Sequence, residues 1–224
     1  MMKRLLASAL SAAMLLGLLA GCGGGGEGTG GSGSSTPSGS GTSSPSGTTS
    51  ENVIKIGVFE PSTGDSASGG KKEMLGMQYA NYETPTVEVG GTEYTVQLVY
   101  SDNGSTTDKA LTAATQLVSE GVSLVLGSYG SGVSIAASPT FGSAGIPAIG
   151  VTCTNPQVTA GNDYYFRICF LDPFQGTVLA NFALDNFDAE VAYCLGEAGN
   201  EYDQGLIAYF KQAFEAAGGT VIQD

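Results

Sequence analysis

The stretch Val122–Pro156 constrains the fold of this chain more than any other part of the sequence. It begins with a short apolar run, Val122–Leu126, which leads into a glycine-rich turn. A helix of small and apolar residues is predicted to begin at Ser131 and end near Ala144, before a second apolar run at Ile146–Val151. Short apolar runs that end in tight glycine turns are typical of buried parallel strands. The pattern therefore predicts two parallel strands of one sheet, joined by a helix.

The loops that follow these two strands carry the strongest candidate for a binding site. In an open parallel sheet, ligands bind outside the carboxyl ends of the strands. The free N–H groups at the helix start, with the hydroxyls of Ser131 and Thr154, form a cluster of donors suited to a carboxylate. A simpler interpretation is that Ser131 only caps the helix and that Thr152 and Thr154 are ordinary loop residues. The spacing alone favours this simpler interpretation.

Strands and helices alternate along the rest of the chain from residue 52 onward. This alternation predicts an α/β fold with a parallel sheet. The remaining strands are predicted at Val53–Phe59, Tyr94–Tyr100, Phe166–Phe170, Glu190–Leu195 and Thr220–Ile222. Residues 61–70 are rich in serine and glycine and are predicted to form a loop.

Two of the predicted helices rest on apolar periodicity. One is Lys71–Tyr82, and the other is Tyr202–Ala217, which Gly218 and Gly219 would end. The first of these helices places three residues on one face: Leu75, Tyr79 and Tyr82.

Two more helices are predicted from residues typical of helix starts. One begins at a capping box, Ser105-x-x-Asp108, and ends at Gly121. The other begins at Asp172, with Pro173 at the first helical position. The residues predicted to face inward are Ala110, Leu111, Ala114 and Val118 in the first of these helices, and Phe174, Val178 and Phe182 in the second.

Residues 1–22 have the features of a lipoprotein signal peptide. Lys3 and Arg4 give a positive start, a mostly apolar run follows, and the segment ends in Leu-Ala-Gly-Cys with Cys22 as the lipidated residue. The alternative, a transmembrane helix, is disfavoured because the apolar run is short. Residues 23–51 are almost entirely Gly, Ser and Thr, which cannot bury apolar surface, so they are predicted to form a disordered tether.

Charge and composition exclude several classes of function. The net charge of −13 argues against nucleic acid as a partner. The chain has no histidine, which removes histidine-based catalytic triads and the commonest metal ligand. The cysteines beyond the signal peptide, Cys153, Cys169 and Cys194, are interpreted as small thiols packed among apolar residues rather than as a disulfide.

Two enzyme motifs are approached in the binding stretch, but neither is complete. Gly130-x-Gly132 follows a strand and opens a helix, yet Ile135 stands where a dinucleotide fingerprint needs its third glycine. Ser134 lies in an incomplete G-x-S-x-G, and no histidine could activate it. Acidic residues near the end of the Asp172 helix are explained by solvation. We therefore expect no catalytic residue, no cofactor and no metal.

Several short motifs lie in a characteristic order along the chain. They are G-S-Y-G-S at the helix start, A-G-I-P-A-I and T-C-T-N-P around the second strand, and Y-Y-F-R and D-P-F-Q-G further on. In these motifs the chain resembles, from about Val53 to its last residue, the extracytoplasmic solute-binding proteins of branched-chain amino acid ABC transporters. The resemblance is most specific at Ile146–Pro156 and Tyr164–Gly176.

This resemblance implies a type I periplasmic-binding-protein fold with two doubly wound parallel-sheet lobes. Residues 52–170 would form the N-terminal ligand-binding lobe, and residues 171–224 would begin a second lobe, which we expect to be incomplete because the sequence stops within an element. A protein of this kind is not an enzyme. Held by a lipid on Cys22 at the outer face of the cytoplasmic membrane, it captures an amino acid, most simply a branched-chain one, by hinge closure. It then delivers this amino acid to permease and ATPase subunits.

Three alternatives remain open at this point. The same lobes serve sensors, which feed a signalling partner instead of a transporter. The wider family also binds amides, urea or aromatic acids. A third and weaker alternative is an extracytoplasmic enzyme, which the missing histidine and the incomplete motifs oppose.

The resemblance also implies roles for individual residues. Ser131 and Thr154 match positions that hold the ligand carboxylate, and Thr152 matches one whose main-chain carbonyl accepts from the ammonium. Tyr202 matches an aromatic residue that covers the ligand side chain, although a tyrosine packed at a helix start is an equally simple explanation. Tyr129 and Gly130 belong to the first binding loop, where Tyr129 could instead be an exposed loop residue.

The chain departs from the family at one wall of the pocket. Many members place an aromatic residue in the loop after the first strand, where this chain has Ser68, Gly69 and Gly70. This departure predicts an open wall and leaves the ligand side chain undefined.

Overall fold

The computed structural model describes residues 52–222. The predicted signal peptide, the lipidated Cys22 and the glycine-rich tether lie outside these residues, as do the last two residues of the chain. Within the described range, no helix combines the length and the apolar character that crossing a membrane requires.

Within the described residues, eight strands form two sheets. A six-stranded sheet has the order β2-β3-β1-β4-β5-β6, in which β2 is antiparallel to β3 and all other neighbours are parallel. A second sheet consists of the parallel pair β7-β8. The bounds are β1 Val53–Glu60, β2 Thr86–Val89, β3 Thr92–Asp102, β4 Leu124–Leu126, β5 Ala148–Gly150, β6 Tyr165–Arg167, β7 Val191–Tyr193 and β8 Thr220–Ile222.

In the part of the chain that the structure describes, five α-helices connect the strands, and a short 3₁₀ turn at Pro156–Val158 follows β5. Their bounds are α1 Ala67–Glu83, α2 Thr107–Ser119, α3 Ser131–Ala144, α4 Asp172–Phe187 and α5 Glu201–Ala216. Each predicted helix is present in the structure, and the predicted start of α3 at Ser131 is confirmed. The predicted strands are also present, although β4, β5, β6 and β7 are only three residues long each and shorter than expected.

Two separate hydrophobic cores hold these elements together. The larger lies between the six-stranded sheet and helices α2 and α3, with Phe59 and Phe141 packed edge to face at 5.5 Å between ring centroids. The smaller core is formed around Phe214 by α4, α5 and the second sheet. Burying large aromatic side chains of this kind contributes on the order of 2–3 kcal/mol each.

The glycine-rich turn between β4 and α3 has the backbone that its sequence predicts. Gly127 has φ 119° and Gly130 has φ 111°, values that residues with a Cβ rarely adopt. Gly130 is the N-cap of α3, and Gly145 ends the helix in the left-handed conformation. The turn therefore delivers the first N–H groups of α3 at the carboxyl edge of the sheet.

Helix α1 starts earlier than predicted, at Ala67 instead of Lys71, so residues 67–70 are helical and not part of a loop. The main chain at Gly70 packs closely against Pro61, since a Cβ at position 70 would lie 2.3 Å from the carbonyl oxygen of Pro61. The predicted apolar face is present but points outward. Leu75, Tyr79 and Tyr82 are 63%, 65% and 79% exposed, because the helix turns another side, with the buried Gly70 and the half-buried Met74 and Met77, towards the rest of the protein.

The predicted capping box at Ser105 is wrong. Ser105 has φ 60°, and its hydroxyl accepts from the N–H of Ser66 and donates to the carbonyl of Thr63, so it holds the loop before α1. Thr106 caps α2 instead, by accepting from the N–H of Lys109 at 3.4 Å. The buried stripe shifts accordingly. It consists of Ala110, Ala113, Ala114 and Leu117, while Leu111 is exposed and Val118 is only partly buried.

The predicted inward face of α4 is also wrong. Phe174, Val178 and Phe182 are exposed, and the buried residues of the helix are Asp172, Gly176 and Ala180. The reason is the close packing of α4 on α5, which admits only small side chains. Helical periodicity alone did not show which side of α4 would meet another helix.

Strand β2 was not predicted from the sequence. It forms a hairpin with β3 through Gly90 and Gly91, which have φ 61° and 79°. Two residues with positive φ form the turn that joins antiparallel strands most readily, so the Gly-Gly pair was the available signal. The hairpin places one antiparallel strand at the edge of a sheet that was predicted to be parallel.

Two glycines within helices provide a matched test of this packing. A Cβ at Gly176 in α4 would lie 2.7 Å from the main-chain nitrogen of Phe210 in α5, whereas a Cβ at Gly76 in α1 would meet nothing within 4 Å. We expect Gly176→Ala to lower the free energy of unfolding by about 1–3 kcal/mol, because α4 and α5 must separate. Gly76→Ala should raise it by up to about 1 kcal/mol through helix propensity. Urea unfolding of both variants checks this, and equal effects would contradict the described α4–α5 contact.

Candidate functional site

A cleft of about 730 Å³ lies at the carboxyl edge of the six-stranded sheet and extends to α4 and the start of α5. The six ligand-binding residues predicted from the sequence all line it: Tyr129, Gly130, Ser131, Thr152, Thr154 and Tyr202. The structure thus brings together residues that are up to 73 positions apart in the chain (129 to 202). A small-molecule site typically has a volume of ~300–1,000 Å³.

The start of α3 forms one end of the cleft. Ser131, Gly132 and Val133 line it, and N–H groups in the first turn of a helix have no partner within the helix. Ser131 is 2% exposed, and its Oγ accepts from the N–H of Asn155 at 3.2 Å. Within residues 52–222 the Ser131 hydroxyl proton is not donated to another group. The hydroxyl is therefore an acceptor towards the protein and a free donor towards the cleft.

Thr154 is buried beside this helix start. It is 6% exposed, and its Oγ1 has no hydrogen-bond partner in the described part of the chain. Its carbonyl accepts from the N–H of Asp172 at 3.1 Å, which ties the loop to the start of α4. Burial raises the pKa of the Asp172 carboxyl, and the nearby Thr154 hydroxyl and the charge of Arg167 oppose this rise. A buried hydroxyl without a fixed partner is available to a ligand.

Arg167 at the end of β6 holds the loop that carries Thr154. One terminal nitrogen donates to the carbonyls of Cys153 and Asn155 at 3.0 and 2.9 Å. The other donates to the carbonyl of Pro156 and to the hydroxyl of Thr159. The planar guanidinium can make these bonds at once because its donors have a fixed fork geometry.

Asn155 connects this loop to the second half of the described chain. Its side-chain amide donates to the carbonyl of Glu201 at 2.9 Å, at the start of α5. Its side-chain oxygen accepts from the N–H of Gln157. Because its main-chain N–H also bonds to Ser131, this residue links α3, the Thr154 loop and α5.

Tyr202 lies in the first turn of α5, where Asn200 caps the helix by accepting from the N–H groups of Tyr202 and Asp203. The Tyr202 hydroxyl accepts from the side-chain amide of Gln175 at 2.9 Å. Gln175 belongs to α4 and also lines the cleft. The hydrogen bond fixes the direction of the ring across the cleft from Ser131 and Thr154.

The ring of Tyr129 forms the side of the cleft at Ser68–Gly70, which the sequence predicted to be open. Gly69 is part of α1 and not of a loop, and a Cβ on it would lie 2.5 Å from the Tyr129 ring. The ring therefore occupies the space beside Gly69 and remains 39% exposed towards the cleft. The expectation of an open wall is corrected, because an aromatic ring reaches that wall from a different loop.

The cleft is negatively charged. Among the described residues that line it, the charged ones are Glu197 and Glu201. The Glu201 carboxyl group reaches Gly132 in the first turn of α3, where a Cβ would collide with it. These two carboxyl groups give the cleft a charge that is complementary to a positive group of a ligand.

Thr152 makes a different contact from the other predicted residues. Its hydroxyl donates to the Glu73 carboxyl group of α1, so this hydroxyl is already used within the protein. The main-chain carbonyl of Thr152 accepts no hydrogen bond within residues 52–222, so it remains available to a ligand. The sequence analysis gave no role in the site to Glu73, Asn155, Arg167 or Asp172, because each acts through a contact distant in the chain. Three of them lay within the motifs T-C-T-N-P, Y-Y-F-R and D-P-F-Q-G, and Asp172 was predicted only as the start of a helix.

The cysteines and the acidic residues are the remaining side chains that could carry chemistry. Cys153 is buried and burial raises the pKa of its thiol to about 11, while Cys169 and Cys194 are partly buried and all three are free thiols. Within the described residues, no group of three or more His, Cys, Asp or Glu side chains could hold a metal ion.

The comparison with known proteins agrees with this geometry. The sequence profile of the family described as periplasmic binding protein matches residues 53–224. The chain belongs to the periplasmic binding protein family. The resemblance to branched-chain amino acid-binding proteins and the α/β fold of this family, both expected from the sequence motifs, are confirmed.

Individual members of the family show how far the likeness extends. A Leu/Ile/Val-binding protein homolog 2 of Brucella abortus is 32% identical over 174 residues, which are 77% of this chain and 46% of that protein. The crystal structure of the leucine binding protein LivK from Thermotoga maritima has 34% identity and a TM-score of 0.73 over 77% of this chain and 48% of that one.

A third comparison includes a bound ligand. The substrate binding protein LivJ from Streptococcus pneumoniae, in complex with isoleucine, has 28% identity and a TM-score of 0.68, over 77% of this chain and 49% of that one. The chain thus spans about half the length of the relatives that it matches.

Arg167 offers a test of how the Thr154 loop is held. We expect Arg167→Lys to lower the free energy of unfolding by about 2–3 kcal/mol, because a single ammonium cannot replace the fork of donors. Hydrogen exchange should also become faster at residues 153–159. Lys211→Arg, in the exposed Lys211–Glu215 pair, is the control and should change stability by less than about 0.5 kcal/mol. Unchanged hydrogen exchange in this loop would contradict the conclusion that the hydrogen bonds of Arg167 hold it in place.

Proposed function

We propose that this protein captures an amino acid in the cleft and presents it to a transporter. The observation that carries the proposal is the buried, unpartnered hydroxyl of Thr154 beside the free N–H groups at the start of α3. The printed names of the relatives, Leu/Ile/Val-binding and leucine binding, support a branched-chain amino acid as the ligand.

The ligand carboxylate would bind at the α3 end of the cleft. Helix N-termini favour anions through their free N–H groups and the helix dipole. Ser131 and Thr154 would each donate a hydroxyl proton to the carboxylate, since both hydroxyls are buried. The Ser131 proton is not donated within residues 52–222, and Thr154 Oγ1 lies near the Asp172 carboxyl group without a hydrogen bond of ordinary geometry to it. Hydrogen bonds to charged groups are the stronger kind, so these two contacts would supply much of the affinity.

The ammonium and the side chain would bind on the remaining sides. The main-chain carbonyl of Thr152 would accept from the ammonium, and the negative charge of Glu197, which also lines the cleft, favours a positive group. The rings of Tyr129 and Tyr202 would cover the apolar side chain. Gly130 leaves room at the helix start, because it carries no Cβ.

Closure of the cleft would trap the ligand. The residues around it come from both halves of the described chain, residues 52–170 and 171–222, which Asn155 joins. A hinge between two lobes would bring Tyr202 onto the bound ligand, and the closed form would dock on permease and ATPase subunits. Binding and release need no covalent chemistry, so the proposed protein is not an enzyme.

The protein would act at the outer face of the cytoplasmic membrane, held by a lipid on Cys22. The Leu-Ala-Gly-Cys sequence after an apolar run supports this, and residues 23–51 would keep the binding domain near the transporter. The membership in the periplasmic binding protein family agrees with an extracytoplasmic location.

The two hydroxyls are the direct test of the site. We expect Ser131→Ala and Thr154→Ala each to weaken leucine binding by about tenfold to a hundredfold, since each removes a hydrogen bond to a charged group. Isothermal titration calorimetry on the full-length protein, with leucine, isoleucine and valine, measures the effect.

Two exposed residues provide matched controls for these variants. Ser143→Ala, at the far end of α3, and Thr112→Ala, on α2, should leave the affinity unchanged. If Ser131→Ala and Thr154→Ala bind leucine as tightly as the wild type, the carboxylate does not lie at the start of α3.

The lipid anchor is tested by fractionation. Cys22→Ala should move the protein from the membrane fraction to the soluble fraction, because the thiol is the predicted attachment point of the lipid. Cys194→Ala, which removes a thiol of the folded domain, should remain with the membrane. Retention of Cys22→Ala in the membrane fraction would contradict the proposed anchoring.

A further inference from the structure

Two carboxyl groups lie directly behind the cleft, and neither was expected from the sequence. Glu60, the last residue of β1, is 1% exposed, and its Oε2 accepts from the N–H of Tyr129 at 2.7 Å. Glu73 on α1 accepts from the hydroxyl of Thr152 through its Oε1. Each carboxyl group is therefore bonded to one of the two loops that form the candidate site.

The second oxygen of each carboxyl group is also buried. Glu60 Oε1 and Glu73 Oε2 have no other hydrogen-bond partner in the described part of the chain. Neither Glu60 nor Glu73 forms a salt bridge within residues 52–222. A fully buried carboxyl group in contact with a second, half-buried one cannot ionise beside it at low cost, whereas one proton between them satisfies both oxygens.

The raised pKa of the Glu60 carboxyl group is consistent with a proton bound to it. Burial raises the pKa of Glu60 to about 10, and a hydrogen bond to Glu73 and the negative charge of that neighbour add to the rise, while the Tyr129 N–H opposes it. A group with this raised pKa is neutral at pH 7. It can then donate to Glu73 while it accepts from Tyr129.

We propose that Glu60 and Glu73 share one proton and act as positioning residues, which fix the Tyr129 loop and the Thr152 loop on the two sides of the cleft. The chain of hydrogen bonds runs from the Tyr129 N–H through Glu60 and Glu73 to the Thr152 hydroxyl. Neither carboxyl group lines the cleft, so both act through other residues. The expected effects on ligand affinity rest on the proposed function of the cleft as an amino acid site.

The surroundings of the pair contain few other charges. Tyr165 of β6 faces Glu60, and its hydroxyl donates to the carbonyl of Gly127 in the turn before α3. Cys169, after β6, faces Glu73. Lys71 and Lys72 precede Glu73 on α1 and are exposed. Loss of the shared proton would therefore leave two negative charges without a buried cation.

The first experiment needs no ligand. In the full chain, the carboxyl carbons of Glu60 and Glu73 are followed by NMR from pH 4 to pH 11, together with hydrogen exchange at the Tyr129 amide. We expect the Glu60 carboxyl to titrate near pH 10 rather than near 4.5, and the Tyr129 amide to lose protection over the same range. A Glu60 carboxyl that is fully ionised at pH 6 overturns the proposal.

The second experiment compares a conservative and a disruptive variant. Glu60→Gln keeps an oxygen that accepts from Tyr129 and gains an amide that donates to Glu73, whereas Glu60→Leu keeps neither. Leucine affinity at pH 7 should fall less than about threefold for Glu60→Gln and at least about tenfold for Glu60→Leu, since only the second frees the loop. Glu88→Gln, an exposed change of the same charge on β2, should leave the affinity unchanged.

The pH profile separates positioning from a merely structural role. Between pH 8 and 11 the wild type should lose affinity more steeply than Glu60→Gln, because the variant has no proton to release there; the ligand ammonium titrates equally in both. Parallel profiles, or equal losses for Glu60→Gln and Glu60→Leu, overturn the proposal. If the wild type binds no amino acid but its Glu60 titrates near pH 10, the proposed function fails and the shared proton remains established.

Discussion

The free main-chain N–H groups at the start of α3 are the constraint on which the candidate site depends. They result from helix geometry, since the first turn of any helix lacks internal acceptors. In this chain a turn with two positive-φ glycines, Gly127 and Gly130, brings them to the carboxyl edge of the sheet. Thr154 then adds a buried hydroxyl without a partner, which is costly unless a ligand or a neighbouring group accepts from it.

The loops around these donors are held by contacts that cross long distances in the sequence. Arg167 holds the loop of Thr154, and Asn155 joins it to α3 and to α5. Behind the cleft, Glu60 and Glu73 bond to the Tyr129 and Thr152 loops. A site made of loops can be precise in this way, because each loop is tied to a strand or a helix of the scaffold.

Apart from strand β2, the order of strands and helices was predictable because local signals and the final fold agree. Apolar runs, helix-ending glycines and the strand–turn–helix stretch before Ser131 each depend on neighbours in the chain. Predictions failed where the outcome depends on a distant partner. Phe174 and Leu111 are apolar at helical spacing but exposed, since α4 packs through Gly176 and α2 through its alanines. Ser105 looked like a helix cap but holds the loop before α1.

The sequence by itself determined the α/β class and the start of α3 and, through its resemblance to a known family, pointed to six of the residues that line the cleft. Glycine conformation, helix starts and short apolar runs are properties of a few adjacent residues, so no tertiary information was needed. Only the tertiary structure decided that Tyr129 fills the space beside Gly69, that Glu60 meets Glu73, and that Asn155 reaches α5. Such contacts depend on how separate elements pack in three dimensions, and no periodicity within one element encodes them.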